Sequence, residues 1–345
     1  MLKYLRLIFV LFVLNACKTE DVDTTTAELN LEDYDLTIAF GSCNKQNKKN
    51  RLWDDVLKND PEVWIWAGDN IYGDTDDMQI LGQKYTQQKN QDGYAALEAN
   101  TRVLGTWDDH DYGKNDAGLE FAKKKESQHL FLDFLNVSQN DERRNREGVY
   151  HSTIIPAKNG QVKIIVLDTR YHRTALKDSK KQGSRYQPND YGKGTILGET
   201  QWAWLETELQ QSDSDFNIIV SSIQFLSSEH GFEKWANFPH EVDRMVKLLE
   251  GSNARNVLFI SGDRHISEFS KMNADNLDYP VIDFTSSGLT HSYSNFKTEP
   301  NVYRNGKVIS YLSFGLLHFN FKTKEVKMQM RGDENMLQQE LIQSY

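Results

Sequence analysis

The feature that most constrains the fold of this sequence is a series of short apolar runs of strand length. Each run is followed by side chains able to bind a metal or a phosphate. Between the runs lie segments with helical spacing, such as 51–58 and 201–209, whose apolar residues share one face. This alternation predicts an α/β fold with buried sheet strands. The predicted strands are 36–40, 63–67, 162–167, 217–221, 257–260 and 281–284.

Two late segments, 311–321 and 325–331, predict a β-hairpin, so parallel and antiparallel strands are both expected. The 6 prolines and 21 glycines are not clustered in a linker that would indicate a second domain. Residues 34–345 are therefore predicted to form one domain.

The residues that follow the strand runs are expected to meet in one cleft. In open α/β sheets, ligands bind beyond the carboxyl ends of the strands, where distant parts of the chain come together. The run 103–107 adds one more such position. The side chains placed there are Cys43, Asp69, Tyr72, the carboxylates of 108–111, Asp168, Arg170, Asp263 and His265.

Two turns opened by glycine carry candidate metal ligands. In the Gly-Asp-Asn-Ile-Tyr segment 68–72, the glycine lets the backbone approach an ion and Asp69 offers a carboxylate. In the Gly-Ser-Cys-Asn segment 41–44, a Cys43 thiolate would favour iron or zinc over calcium or magnesium. The alternatives are a buried, inert thiol at Cys43 and a tyrosine at position 72 that only packs in the core.

The segment 107–111, Trp-Asp-Asp-His-Asp, places three carboxylates around a histidine. These carboxylates would repel one another unless cations neutralise them. A charged, solvated turn is the alternative. The position after a strand run favours a metal site.

Taken together, these segments resemble the alkaline phosphatase D (PhoD-like) family of the metallophosphoesterase superfamily. The resemblance extends from about residue 36 to near the C-terminus, and its motifs occur in the family's order. It implies a four-layer α/β/β/α metallophosphoesterase sandwich with mixed sheets. It also implies hydrolysis of phosphomonoesters or phosphodiesters at a centre of Fe3+ and Ca2+, with Zn or Mn as alternatives. The motifs lie at 41–43, 68–72, 106–110, 167–170, 197–205, 261–265 and 285–290.

The resemblance also implies roles for single residues. Tyr72 resembles the phenolate ligand of ferric iron in the purple acid phosphatase motif. Asp109 would be a metal ligand, and His110 would face the substrate. Cys43 and Asp69 complete the expected ligand set on this side of the site.

In the Gly-Asp-Arg-His segment 262–265, His265 keeps the nitrogen ligand of the superfamily motif, and Asp263 replaces its first histidine. Gln224 stands where the superfamily usually supplies another histidine. The expected site is therefore rich in oxygen ligands, which moves the preference from zinc or manganese toward calcium.

The expected reaction is in-line displacement at phosphorus by a hydroxide that the metals hold. Arg170 would bind phosphate oxygens, and His110 would protonate or stabilise the leaving oxygen. The alternative for Arg170 is a salt bridge with Asp168. His291 could contact the substrate or be an ordinary loop histidine.

Two further functions stay open. One is a diesterase that acts on phospholipid headgroups or nucleic-acid fragments. The other is a non-catalytic surface lipoprotein whose acidic cluster binds calcium together with a glycan or protein partner.

The N-terminus predicts export. Basic residues precede the apolar run 7–14, which is too short to span a bilayer stably, and 14–17, Leu-Asn-Ala-Cys, resembles the lipobox of bacterial lipoproteins. Residues 1–16 are predicted to be a signal peptide, Cys17 the lipidation site and 17–33 a flexible tether. An ordinary signal peptide or anchor helix is the alternative. The protein is therefore expected to be a membrane-anchored lipoprotein in the periplasm or at the cell surface.

The formal net charge of −10 argues against stable nucleic-acid binding, which requires a basic face. A phosphate ester could still bind where cations line the pocket. The sequence leaves the oligomeric state open.

Overall fold

The computed structural model describes residues 34–345, and within them two large β-sheets pack face to face with helices outside. The strands are β1 Leu36–Gly41, β2 Val63–Ala67, β3 Arg102–Thr106, β4 His151–Ala157, β5 Gly160–Val166, β6 Lys177–Asp178, β7 Tyr186–Gln187, β8 Phe216–Val220, β9 Val257–Ser261, β10 Ser267–Met272, β11 Val281–Ser286, β12 Arg304–Ile309, β13 Phe314–Asn320, β14 Glu325–Arg331 and β15 Leu337–Ser344. The helices are α1 Trp53–Leu57, α2 Met78–Lys89, α3 Asp92–Asn100, α4 Asp109–Tyr112, α5 Lys124–Phe134, α6 Gly198–Gln210 and α7 Pro239–Gly251.

The first sheet has the strand order β15-β14-β13-β1-β2-β3, and the second has the order β12-β10-β11-β9-β8-β5-β4. In the first sheet, β1, β2 and β3 are parallel, and β13 to β15 add antiparallel strands beside β1. In the second sheet, β5, β8, β9 and β11 are parallel. The expected mixture of strand directions is therefore present in both sheets.

Strand alternation builds the layer between the sheets. Successive side chains of a strand point to opposite faces, so Ile38 and Phe40 enter the space between the sheets while Ala39 faces the helices. The Phe40 ring meets the edge of Phe284 from the second sheet at 4.8 Å between ring centroids. This contact joins the two sheets in the middle of the core.

Helices cover the outer face of each sheet. On the first sheet, Trp64 and Trp66 point outward and pack with Trp53 of α1, at 5.2 and 5.6 Å between ring centroids. On the second sheet, α6 and α7 bury Trp202 and Met245 against the outward residues of the central strands. The order of layers is thus α/β/β/α, and the predicted fold class is confirmed.

The predicted strands and hairpin agree with the observed ones to within a few residues. β13 begins at Phe314, later than the predicted start at 311, because Ser313 instead forms an isolated bridge with Gly288. The sequence analysis did not predict α2, α3, α5 or α7, nor the edge strands β4, β12 and β15 and their neighbour β10. α2 and α3 carry many polar residues and have a weak apolar periodicity, whereas α7 has a clear amphipathic pattern that the sequence analysis did not use.

In the described part of the chain, 34–345, no helix has the length and apolar character needed to cross a membrane. The predicted signal peptide, the lipidation site Cys17 and the tether lie outside the described residues, so they stay predictions.

Gly315 of β13 tests the packing between neighbouring strands. A Cβ at this position would overlap the Phe40 ring, so we expect Gly315→Ala to lower the free energy of unfolding by about 1–3 kcal/mol through overpacking. Gly251, at the end of α7, has no atom within 4 Å of its Cβ position and serves as the control. Urea denaturation of both variants provides the measurement, and equal stability would contradict the packing described.

Candidate metal centre and active site

The carboxyl ends of strands from both sheets meet at one edge of the molecule. Cys43 follows β1, Asp69 follows β2 and Asp109 begins α4 just after β3. From the second sheet, Asp263 and His265 follow β9. Hydrogen bonds and short contacts join these segments, so the predicted convergence of distant residues is present in the structure.

The first group of donor atoms contains a thiol, a carboxylate, a phenol and an imidazole. Cys43 Sγ lies 3.3 Å from Asp69 Oδ2, and the Tyr72 hydroxyl lies 3.1 Å from the same oxygen. The Tyr72 hydroxyl also lies 3.1 Å from His265 Nε2. Donor atoms bound to one ion by bonds of about 2.0–2.3 Å stand about 3 Å apart, so these distances suit a shared cation.

A second group shares Asp69 with the first. Donor atoms of Asp69, Asp109 and His110 lie within 4.8 Å of one another, as do those of Cys43, Asp69 and His265. Asp69 Oδ1 is buried and has no hydrogen-bond partner within residues 34–345. A buried carboxylate oxygen without a partner is costly, and a cation would satisfy it. Asp69 is therefore positioned so that it could bind two cations at once.

Four of the predicted ligands have left-handed backbone conformations. The φ angles are 59° at Cys43, 52° at Asp69, 65° at Asp263 and 53° at His265. Non-glycine residues seldom adopt this region, and such strain concentrates at functional sites. The chain is thus bent after three strands, β1, β2 and β9, where these side chains meet.

Gly68 permits the close approach that the sequence predicts. Its φ is +91°, and a Cβ there would lie 2.6 Å from Asp108 Cβ and 2.9 Å from Ser222 Cβ. A larger residue would push Asp69 away from the second sheet.

Burial dominates the ionisation of the acidic groups in the first donor group. Burial raises the pKa of Cys43 to about 11, and it also raises the pKa of Asp69 well above the usual range, with the Cys43 charge adding to the effect. Burial and the charge of Asp69 likewise raise the pKa of Tyr72. A cation among these atoms would favour their charged forms and reverse the shifts.

Asp263 is the predicted ligand with the weakest geometric support. Its backbone carbonyl lies 3.7 Å from Cys43 Sγ, but neither group of mutually close donor atoms includes its carboxylate. Burial raises its pKa well above the usual range, and the nearby Asp108 adds to the shift. Ligation by Asp263 stays a prediction.

The three carboxylates of 108–111 point in different directions. Asp108 Oδ1 accepts hydrogen bonds from Arg170 Nε at 2.5 Å and from Ser222 at 2.6 Å. Asp111 accepts from the Asn70 side chain at 2.5 Å. Asp109 alone of the three joins the cluster of donor atoms around Asp69. The three acids thus have different partners, and the charges of Asp109 and Asp108 still raise the pKa values of Asp108 and Asp111, respectively, after the larger effect of burial.

Arg170 occupies a position different from the one predicted. Its guanidinium is fully buried, 2.5 Å from Asp108 and 2.7 Å from Glu233. Asp168, the alternative partner, instead accepts a hydrogen bond from the backbone N of Arg170 at 2.9 Å. Two buried carboxylates neutralise Arg170, which supports a structural role, and its contact with phosphate stays a prediction.

His110 borders the cluster. Its Nδ1 lies 2.7 Å from Asp74 Oδ1, and its ring lies 4.2 Å from the Tyr72 ring. Burial alone would lower the pKa of His110, but the charge of Asp69 and the hydrogen bond with Asp74 outweigh it and raise the pKa to about 10. In the absence of added cations, this imidazole is protonated at neutral pH.

His291, left open by the sequence, lies beside the site. Its ring centroid is 4.4 Å from that of His265 and 5.1 Å from that of Tyr72. Its Nε2 is buried without a hydrogen-bond partner among the described residues. Burial, with help from the charge of His265, lowers the pKa of His291 to about 3, so the ring is neutral.

Sequence reasoning missed several residues that support the site. Ser287 Oγ lies 3.0 Å from Cys43 Sγ and accepts a hydrogen bond from the His265 backbone N at 2.8 Å. The motif 285–290 contains Ser287 and could have revealed it, whereas no local signal marks Glu233. Gln224 donates hydrogen bonds within a buried network, to Glu268 and Thr285.

Comparison with known proteins identifies the family. The family model described as PhoD-like phosphatase matches residues 38–333. The chain belongs to the PhoD-like phosphatase family. Among curated proteins, this PhoD-like chain is similar to alkaline phosphatase D of Bacillus subtilis (strain 168), with 23% identity over 284 residues. That match covers 70% of this chain and 47% of the relative, so the chain spans about half the relative's length.

Solved structures show the same fold. A structure of PhoD superposes with a TM-score of 0.71 at 17% identity, covering 90% of this chain and 68% of the other. A dimetal phosphatase from Danio rerio gives 0.55 at 16% identity, covering 91% and 100%. Purple acid phosphatase PPD1 from yellow lupin (Lupinus luteus) gives 0.56 at 12% identity, covering 90% and 53%. The PhoD-like chain therefore shares its architecture with metallophosphoesterases.

Replacing Arg170 tests its structural role. Arg170→Met would leave Asp108 and Glu233 buried without their cation, so we expect the free energy of unfolding to fall by about 3–5 kcal/mol. Lys177→Met removes an exposed ion pair with Asp190 and is the matched control, with little change expected. Chemical denaturation measures both, and an unchanged stability of Arg170→Met would refute the assignment.

Proposed function

We propose that this chain is a secreted, metal-dependent phosphoric ester hydrolase. The observation that carries the proposal is the pair of donor groups that share Asp69, one with Cys43 and His265 and one with Asp109 and His110. Membership of the PhoD-like phosphatase family and the fold shared with a dimetal phosphatase support the same function.

The donor atoms fit the proposed metals, Fe3+ and Ca2+. A thiolate, a phenolate and an imidazole from Cys43, Tyr72 and His265 suit ferric iron, and zinc is the alternative for such ligands. The carboxylates of Asp69 and Asp109 suit calcium, with manganese as the alternative. When bound, such cations lower the pKa of water and neutralise charge on phosphoryl oxygens.

The chain's own residues would orient the ester and handle its proton. His110, held by Asp74 at 2.7 Å, would donate a proton to the leaving oxygen. Asp109 is fixed by backbone N–H groups of His110 and Asp116, at 2.8 and 2.5 Å. Arg170 would act only through Asp108, by holding the start of α4 in place.

The proposal extends to location. The lipobox-like residues 14–17 support lipidation at Cys17 and anchoring to the membrane, with the domain in the periplasm or at the cell surface. We propose a phosphomonoester or a phosphodiester as the substrate.

Turnover of simple aryl esters tests the function. With iron and calcium added, the purified protein is expected to hydrolyse an aryl phosphate monoester or diester. Cys43→Ala should lose iron. Loss of a residue that supports a metal ligand typically lowers activity by about 10–100-fold, and we expect a larger fall for loss of the ligand itself. Calcium binding without any turnover in the wild type would instead favour the non-catalytic lipoprotein.

The phenolate assignment has a spectroscopic test. Tyr72→Phe is expected to abolish the visible charge-transfer absorption of the iron-loaded protein, because the ligand oxygen is gone. Tyr94→Phe removes a buried hydroxyl that accepts a hydrogen bond from Trp66, away from the cluster, and should leave the absorption unchanged. Persistence of the band in Tyr72→Phe would rule out phenolate ligation.

A further inference from the structure

The charge of Arg170, the expected phosphate-binding residue, is already paired with Asp108 and Glu233. Phosphoryl oxygens carry negative charge, and charge-assisted hydrogen bonds from cationic side chains are the usual way to hold them. Another cation near the two donor groups is therefore needed.

Lys45 is the cation in the right place. Its Nζ lies 4.8 Å from the centre of the Tyr72 ring, so it stands beside the first donor group. Within residues 34–345, no carboxylate lies within ion-pairing distance of this ammonium, although seventeen other basic side chains there have such partners. Its charge is thus available to an anion.

Thr290 contacts both Lys45 and His291. The Thr290 hydroxyl accepts a hydrogen bond from the Lys45 backbone N at 2.8 Å and lies 3.1 Å from His291 Nδ1. The backbone N of Thr290 donates to the Cys43 carbonyl at 3.3 Å, which fixes this loop against a predicted ligand. Lys45 and His291 are therefore held on the same side of the donor groups.

His291 has an unused polar atom on this side. The single hydrogen of the Thr290 hydroxyl can go to the Cys43 carbonyl at 3.2 Å or to His291 Nδ1 at 3.1 Å, and in the second case the carbonyl keeps the hydrogen bond from the Thr290 backbone N. A neutral imidazole that accepts at Nδ1 carries its hydrogen on Nε2. This buried Nε2 has no partner among the described residues, and a phosphoryl oxygen would accept its hydrogen.

We propose that Lys45 and His291 form a phosphate-binding wall, in which Lys45 Nζ and His291 Nε2 contact the non-bridging oxygens of the substrate phosphoryl group. The inference rests on the proposed function and adds a substrate class to it. A phosphomonoester carries a charge of about −1.5 to −2 at neutral pH, and a diester carries one unit. An unpaired lysine at this position therefore favours the monoester.

Phosphate binding and turnover together test the wall. Inorganic phosphate is titrated into the metal-loaded full chain by calorimetry, for the wild type, Lys45→Gln, Lys45→Arg and His291→Ala. Lys49→Gln is the matched control, because Lys49 is an exposed residue of the same loop. We expect about tenfold or more weaker phosphate binding in Lys45→Gln and His291→Ala, recovery in Lys45→Arg, and no change in the control.

The kinetic arm separates the substrate classes. For Lys45→Gln we expect kcat/KM to fall more for an aryl phosphate monoester than for the corresponding diester, with metal content unchanged. Equal losses on the two esters would overturn the monoester assignment. A shift in the visible absorption band of Lys45→Gln with unchanged phosphate affinity would show that Lys45 acts on Tyr72, and it would also overturn the wall.

The two proposals fail in different ways. If the metal-loaded wild type hydrolyses neither ester, the proposed function is overturned. If the wild type is active and Lys45→Gln binds phosphate as tightly as Lys49→Gln, the wall is overturned while the hydrolase stands.

Discussion

Buried negative charge at the strand ends is the constraint on which the rest of this structure depends. Acids cannot be left ionised in a dry interior without a compensating charge. The fold compensates Asp108 internally, through the guanidinium of Arg170, which Glu233 also contacts. In the described region it provides no comparable cation in hydrogen-bond contact with the Asp69 carboxylate, which accepts hydrogen bonds from Cys43 and Tyr72. Asp108 thus stabilises the fold, whereas Asp69 is a binding group.

Local backbone geometry makes this separation possible. Cys43 and Asp69 lie in left-handed conformations directly after their strands, and Asp263 and His265 do the same on the opposite sheet. The cost of these conformations is about 1–3 kcal/mol each, and the hydrogen bonds around them hold the chain in place. Ser287, which contacts both the Cys43 thiol and the His265 backbone, is one such support.

The fold and the cluster around Asp69 could be predicted because their signals are local. Buried strands are short apolar runs, and the residues just beyond them lie at a known edge of the sheet. The role of Arg170 could not be predicted in this way, because Glu233 is 63 residues away and belongs to no strand-end motif. Helices such as α2 were missed for a different reason: Leu81 and Tyr85 are buried among many polar residues, so the pattern is faint. Tertiary contacts, which a single sequence does not display, decide both cases.

Because the donor atoms come from both sheets, the centre is also a link between two halves of the fold. Cys43, Asp69 and Asp109 belong to the first sheet, and His265 belongs to the second. An ion held by Cys43, Asp69 and His265 would be bound only while the sheets are docked, so its binding free energy would add to the free energy that keeps them together. In such an arrangement, metal supply would govern the lifetime of the folded protein as well as its chemistry, and starvation for the ion would expose the chain to proteolysis.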